Sequence, residues 1–207
     1  MSRLLLGVVI LAAGKSSRMG KPKMLLPWEN TTILGHLIAT WDQLRAGQVA
    51  VVYSHGEPGI KKEFQRLSFP LENKILNPEP ERGMFSSVQC AAQWNGWKPE
   101  LTHFAIALGD QPHLRRETLR ALIDFTACQP EKICQPARNG RARHPVIFPT
   151  AQFQDLSRSK IKSLKEFLHT HSADTSLLNV DDPGFDLDLD TPADYEKACQ
   201  EYTADKG

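Results

Sequence analysis

The chain has 207 residues, a formal net charge of +1, 41% hydrophobic and 24% charged residues. This is the balance of a globular α/β-sized domain with room for a substantial core, and it excludes a polycationic surface as the route to a nucleic-acid partner. There is no run of about 18 apolar residues, which excludes a helical membrane span.

The expectation is one domain over residues 1–207, without linker, repeat or low-complexity tract. Cys90, Cys128, Cys134 and Cys199 are scattered and form no C-x-x-C, so they read as reduced thiols of a cytoplasmic protein. His169-x-His171 is the closest histidine pair, and on a helix its members point apart, which argues against zinc. Arg3 followed by Leu4 to Ala13 mimics a short signal peptide. Cleavage there would destroy the loop that begins at Ala12-Ala13-Gly14.

In chain order, Leu4–Leu11, Gln48–Tyr53, Lys74–Leu76 and His103–Leu108 read as short buried strands. Thr31–Leu44, Gly59–Leu67, Phe85–Asn95 and Arg116–Cys128 read as helices, the first with an apolar face of Ile33, Leu34, Leu37, Ile38 and Trp41. Strands separated by helices imply right-handed βαβ units and a parallel sheet with active groups at the strands' carboxyl ends. The later half is less regular. Ile133–Pro136 and Pro145–Phe148 read as strands around Arg138-Asn139-Gly140, and Ile161–His171 as a basic amphipathic helix. Leu177–Val180 and Phe185–Leu189 read as edge strands, and Ala193–Tyr202 as a closing helix.

Residues 11–23, L-A-A-G-K-S-S-R-M-G-K-P-K, follow the first strand. The segment carries Lys15, Arg18, Lys21 and Lys23 and no acid. Glycines let backbone N–H groups approach an anion, and the cations surround it. It is not a Walker A loop, because Met19 stands where the second glycine belongs and Pro22 follows Gly20-Lys21. It is not a dinucleotide fingerprint either, because no glycine lies two residues after Gly14. A surface basic loop beside a core strand is the plainer reading.

Asp110, in L-G-D-Q-P after the fourth strand, is placed for a divalent cation, which prefers a few carboxylates plus phosphate oxygens and water. A turn aspartate before proline explains it as well. In D-L-D-L-D-T-P-A-D-Y, alternation would put Asp186, Asp188 and Asp190 on one strand face. Asp190, at the strand-to-helix junction, is favoured as the second metal ligand and Asp188 is next. Thr191 and Pro192 would start the last helix, and an acidic helix cap is the competing reading. Basic residues 15–23 and the acidic stretch 181–190 are thus expected to face one metal–triphosphate, or to be two solvated loops.

Glu81-Arg82-Gly83-Met84-Phe85-Ser86-Ser87-Val88 opens a helix whose free N–H groups and Ser86 are positioned for a base, a ribose or an acceptor, though Ser86 also suits an ordinary cap. Arg138, Arg141 and Arg143 form either a clamp for a second phosphorylated substrate or a solvated basic loop. Ser16 and Ser17 have no placed histidine partner, so a Ser–His–Asp hydrolase is not supported.

These motifs, with N-P-E-P-E-R-G-M-F-S-S-V and H-P-V-I-F, resemble in order and across nearly the whole chain the MobA-like nucleotidyltransferases, and among them the molybdenum cofactor cytidylyltransferases. The loop matches the signature L-A-[AG]-G-x-[GS]-x-R-[ML]-G-x-x-K at Leu11, Ala12, Ala13, Gly14, Ser16, Arg18, Met19, Gly20 and Lys23. L-A-A-G rather than L-A-G-G leans to the cytidylyl side. The resemblance implies a Rossmann-like three-layer α/β/α sandwich with a mostly parallel sheet, of the nucleotide-diphospho-sugar transferase type. It implies transfer of a nucleoside monophosphate, CMP from CTP favoured, to a phosphorylated acceptor of molybdopterin type, with release of pyrophosphate.

The implied nucleotide-binding residues are Leu11, Ala12, Ala13, Gly14, Ser16, Arg18, Lys23, Gly83 and Ser86. The implied catalytic residues are Arg18, Lys23 and Asp110, with magnesium on Asp110 and Asp190. The chain departs from the family at residues 156–164, where L-S-R-S-K-I-K-S-L replaces an L-x-G-D-x-G-A-R-like segment of the acceptor side. That departure motivates two alternatives: a non-catalytic nucleotide-binding protein in cofactor delivery, or a transferase for another small phosphorylated acceptor. A redox enzyme on this fold has no residue demanding a nicotinamide or flavin.

Overall fold

The computed structural model describes residues 4–14, 16–55 and 59–204. Lys15, counted above among the loop cations, lies outside the described residues. The elements are β1 (Leu6–Leu11), the hairpin β2 (Pro27–Trp28) and β3 (Thr31–Thr32), α1 (Ile33–Gln43), β4 (Gln48–Tyr53), α2 (Ile60–Arg66), β5 (Lys74–Leu76), α3 (Met84–Gln93), β6 (His103–Leu108) and α4 (Arg116–Ala127). They continue with β7 (Ile133–Arg138), β8 (Arg141–Ala142), β9 (Val146–Pro149), α5 (Thr150–Arg158), α6 (Leu164–Thr170), β10 (Thr175–Asn179) and α7 (Pro192–Ala204).

The main sheet runs β10-β7-β9-β6-β1-β4-β5, with β8 hydrogen-bonded to β7. β1 pairs in parallel with both β4 and β6. β9 runs antiparallel to both β6 and β7, so the sheet is parallel apart from β9 and the short β8. The pleat sorts side chains onto two faces. Val8 and Ile10 face α1, α2 and α4, joining Leu34, Trp41, Phe64 and Leu122 in one core. Val9 faces α3, α5 and α6, joining Val88, Phe153 and Phe167 in the other. Two helical layers over one sheet give the Rossmann-like α/β/α sandwich.

The structure differs from the sequence reading in the second half. Residues 185–189 do not form a strand: Pro183–Asp186 is a 3-10 turn. It is nucleated by Pro183-Gly184 and capped by Asp182, whose Oδ1 accepts from Gly184 N at 2.9 Å. Asp186, Asp188 and Asp190 therefore share no strand face. Asp186 is ion-paired with both Arg138 and Arg143. The expected arginine clamp is thus occupied by the chain's own carboxylate, and it pins the acidic arm to the end of β7.

The expected helix over 161–171 starts only at Leu164, after Ser163, whose Oγ accepts from Glu166 N at 3.1 Å. The departing segment 156–164 packs with Leu156 and Leu164 buried. It is tied to α3 by Gln93 Nε2 donating to Ser157 O at 2.9 Å and Gln89 Nε2 to Ser159 O at 3.0 Å. Among the described residues, no helix is long and apolar enough to cross a membrane.

Burial holds four histidines below their ordinary pKa. In His36, His103, His113 and His144 desolvation of the cation is the leading cause, and hydrogen bonds to backbone carbonyls oppose it. The unfolded chain, with histidines near 6.5, therefore takes up protons first as pH falls. Their contribution to stability is complete above about 6.5 and is lost progressively below it. The urea midpoint is expected to drop between pH 7.5 and pH 5.5, and an unchanged midpoint would contradict this account.

Candidate active site

The site lies at the carboxyl end of β1, where the sheet order reverses. β4 lies on one side of β1 and β6 on the other, and this switch point is where open α/β sheets bind ligands. A cavity of about 420 Å³ opens there. Its walls include Leu11, Ala12, Ala13, Gly14, Ser16, Arg18 and Lys23 from the loop, Gly83 from the start of α3, and Asp110 and Asp190. Of the nucleotide-binding, catalytic and metal residues implied by the resemblance, all line it except Ser86, whereas Lys21, Asp188, Arg138, Arg141 and Arg143 do not.

The loop is shaped by its own hydrogen bonds. Ala12 N donates to Val52 O at 2.8 Å, extending the β1–β4 register past the end of β1. Ser16 Oγ accepts from Lys23 N at 3.0 Å, and Met19 N donates to Ser16 O at 3.0 Å. Gly20, at φ +64°, makes the left-handed turn that glycine tolerates best. Gly14 differs. A Cβ built on it meets no atom of the described residues within 4 Å, and its φ is not left-handed. The chain's own packing thus does not demand glycine there; a ligand approaching the backbone N–H groups would.

The loop cations separate. Arg18 and Lys21 are exposed while Lys23 is 9% exposed. Lys23 Nζ lies 3.6 Å from Asp110 Oδ2 and 3.6 Å from Asp190 Oδ1. Arg18 closes the set from the rim, its Nη1 3.0 Å from Asp190 Oδ2. Asp110 is aimed here by Gly109, whose N donates to Leu11 O at 3.1 Å and brings the ends of β6 and β1 together. Asp190 arrives from the far end of the chain, between the fully buried Leu189 and the first turn of α7.

Opposite the loop, α3 begins at Gly83 with φ 90° and ψ 178°, a conformation confined almost entirely to glycine, and with no side-chain cap. Gly83 and Met84 line the cavity, so the start of this helix borders it, where an anion or a polar base edge would be favoured. Ser86 turns inward instead. Its Oγ accepts from Asn77 Nδ2 at 2.8 Å and contacts the Gly83 carbonyl at 2.8 Å, so it braces the turn. Ser87, one residue on, is at the cavity wall with Pro80 and the 45%-exposed Met84. Asn77, 1% exposed, also bonds Ser87 Oγ at 2.9 Å. The sequence reading missed Asn77, whose only signal was the Asn-Pro after β5.

Asp110 and Asp190 supply two half-exposed carboxylates and only oxygen donors, the set a small hard cation takes alongside phosphate oxygens and water. The donor chemistry therefore fits the divalent metal that such proteins use. None of residues 156–164 lines the cavity.

A glycine loop at the switch point, facing a helix start across a charged cavity, is an arrangement by which open α/β proteins hold phosphorylated ligands. The model of the MobA-like NTP transferase domain matches residues 8–175, and the chain belongs to that family. It is 27% identical over 196 residues to the molybdenum cofactor cytidylyltransferase of Escherichia coli K12, spanning 94% of this chain and 96% of that protein. It is 32% identical over 121 residues to the bifunctional protein GlmU of Acinetobacter baylyi, spanning only 24% of that longer protein. Among solved structures it is similar to Rv0371c of Mycobacterium tuberculosis H37Rv, with TM-score 0.74 and 28% identity over 96% of this chain and 99% of the other. The manganese complex of Rv0371c superposes with TM-score 0.69 at 25% identity, over 95% of this chain and 98% of the other. Asp190 lies beyond the part matched by the family model.

Proposed function

We propose that the protein transfers CMP from CTP to a phosphorylated acceptor of the molybdopterin type, releasing pyrophosphate in a magnesium-dependent reaction. The observation that carries this reading is Lys23 held between Asp110 and Asp190 beneath the Gly14 loop. Similarity to the Escherichia coli cytidylyltransferase and the Ala12-Ala13-Gly14 sequence favour the cytidylyl group and this acceptor over others.

An oxygen of the acceptor phosphate attacks the α-phosphorus in line. A P–O bond forms there while the bond to the β-phosphate oxygen breaks and pyrophosphate leaves. The attacking phosphate is ionised at neutral pH, so no general base is required. Catalysis is then positioning and charge stabilisation. Lys23 places its ammonium against the α-phosphate and the incoming oxygen. Arg18, at the rim, holds the departing β,γ-phosphates. Backbone N–H groups around Gly14 and the start of α3 orient the nucleotide. Asp110 and Asp190 would hold the magnesium, which when bound neutralises phosphate charge. Residues 156–164 pack against α3 away from this cavity, so the departure from the family pattern leaves the nucleotide-side lining in place.

Thermal unfolding with CTP, GTP, ATP and UTP, each with and without magnesium, tests the proposal. A ligand at 100 times its Kd stabilises by about 2.7 kcal/mol. A magnesium-dependent rise with CTP alone is expected. A rise with GTP alone would replace the cytidylyl assignment, and no rise with any nucleotide would overturn the transferase reading.

A further inference from the structure

Asp190 needs a defined direction to stand across from Asp110, and its neighbours in sequence show how that direction is set. The first turn of α7 is a reciprocal cap. Asp194 Oδ2 accepts from Thr191 N at 2.8 Å and from Thr191 Oγ1 at 2.7 Å, while Asp194 N donates to Thr191 Oγ1 at 3.3 Å. On the other side, Leu189 is fully buried in the core. Tyr195 ties the same turn to the β2–β3 hairpin through a hydrogen bond from its hydroxyl to Pro27 O. Asp182 and Asp186 anchor the arm further back, through Arg115 N and through Arg138 with Arg143. Among the described residues, Asp194 is the anchoring carboxylate that grips the Asp190–Thr191 peptide, through Thr191 N.

We propose that Asp194 is a positioning residue: it fixes the Asp190–Thr191 backbone so that the Asp190 carboxylate stands opposite Asp110 across Lys23. This rests on the metal-dependent transferase reading. Asp194 does not line the cavity; it acts through Asp190. Groups that orient metal ligands typically contribute 10–100-fold to metal affinity.

The test reads the Mn2+ concentration at which a fixed CTP concentration stabilises the protein half-maximally against heat. Asp194→Ala is expected to raise that concentration about tenfold. Asp194→Glu, which restores the usual Ser/Thr-x-x-Glu cap, is expected to stay close to wild type. Ser163→Ala removes a cap of similar worth at α6, remote from the cavity, and is expected to lower the melting temperature without moving the Mn2+ half-point. An unmoved half-point in Asp194→Ala, or an equal rise in Ser163→Ala, overturns the proposal while leaving the transferase reading intact. If Asp194→Ala fails to fold, Asp194→Asn decides, with a rise supporting and no change overturning. If GTP, ATP or UTP rather than CTP stabilises the wild-type protein, the same Mn2+ titration is read with that nucleotide; no Mn2+-dependent stabilisation by any of the four overturns the transferase reading and this proposal together.

Discussion

Replacing Lys23 by alanine is expected to lower turnover about 100-fold while leaving the fold intact, because removing one positioned charge contact from a reaction centre costs on the order of 3 kcal/mol. The side chain is 11% exposed, and among the described residues its ammonium is the one cation paired with both carboxylates. Its backbone N–H, which donates to Ser16 Oγ, survives the substitution, so the loop keeps its shape. Asp110 and Asp190 would then face each other without the cation between them, although Arg18 still reaches Asp190. Lys23→Arg is not expected to rescue activity. A planar guanidinium with a fixed fork of donors does not replace a compact ammonium in a closed slot. Turnover measured with CTP and acceptor, beside far-UV circular dichroism, checks both; near-normal turnover in the alanine variant removes Lys23 from the mechanism.

Gly109→Ala is expected to damage stability and catalysis together. A Cβ at Gly109 would lie 2.6 Å from Leu11 O and 2.9 Å from Met24 Sδ. The first neighbour is backbone at the end of β1 and cannot rotate away, so the ends of β1 and β6 must part. Overpacking of this kind typically costs about 1–3 kcal/mol. The displaced groups are the glycine loop on one strand and Asp110 on the other, and a misplacement of about 1 Å in a reaction centre costs on the order of 100-fold in rate. Urea unfolding and turnover well below the melting temperature separate the two effects. Stability within about 0.5 kcal/mol of wild type would show that the strands absorb the methyl group.

The parallel half of the fold was legible because its signals are local. Buried strands such as Val8–Ile10 and Val49–Val52 are continuous apolar runs ending at turn residues, and the helices between them carry apolar faces. The loop was legible because its spacing is dense, and Asp110 because it follows a strand directly. The later segments were harder for identifiable reasons. D-L-D-L-D alternates like a strand, but Pro183-Gly184 forces a 3-10 turn and two arginines claim Asp186. Helix α5 was not anticipated; few apolar residues mark it, and Phe153 earns its place by stacking on Phe104 at 4.2 Å, a contact between segments far apart in sequence. The antiparallel direction of β9 is a property of the whole sheet and has no local sign. The choice between Ser86 and Ser87 turned on one helical step of about 100°, which depends on where α3 begins.

The quartet of Arg18, Lys23, Asp110 and Asp190 sums to zero formal charge, in a chain whose total is only +1. Such a centre projects little field beyond its own rim, so it does not draw in an anion from a distance as an unpaired basic groove does. On the proposed reading, capture would work by exchange at contact: phosphate takes the cations and frees the carboxylates for a metal ion. Each ligand would relieve the charge that the other exposes, so metal and nucleotide are expected to bind with positive coupling.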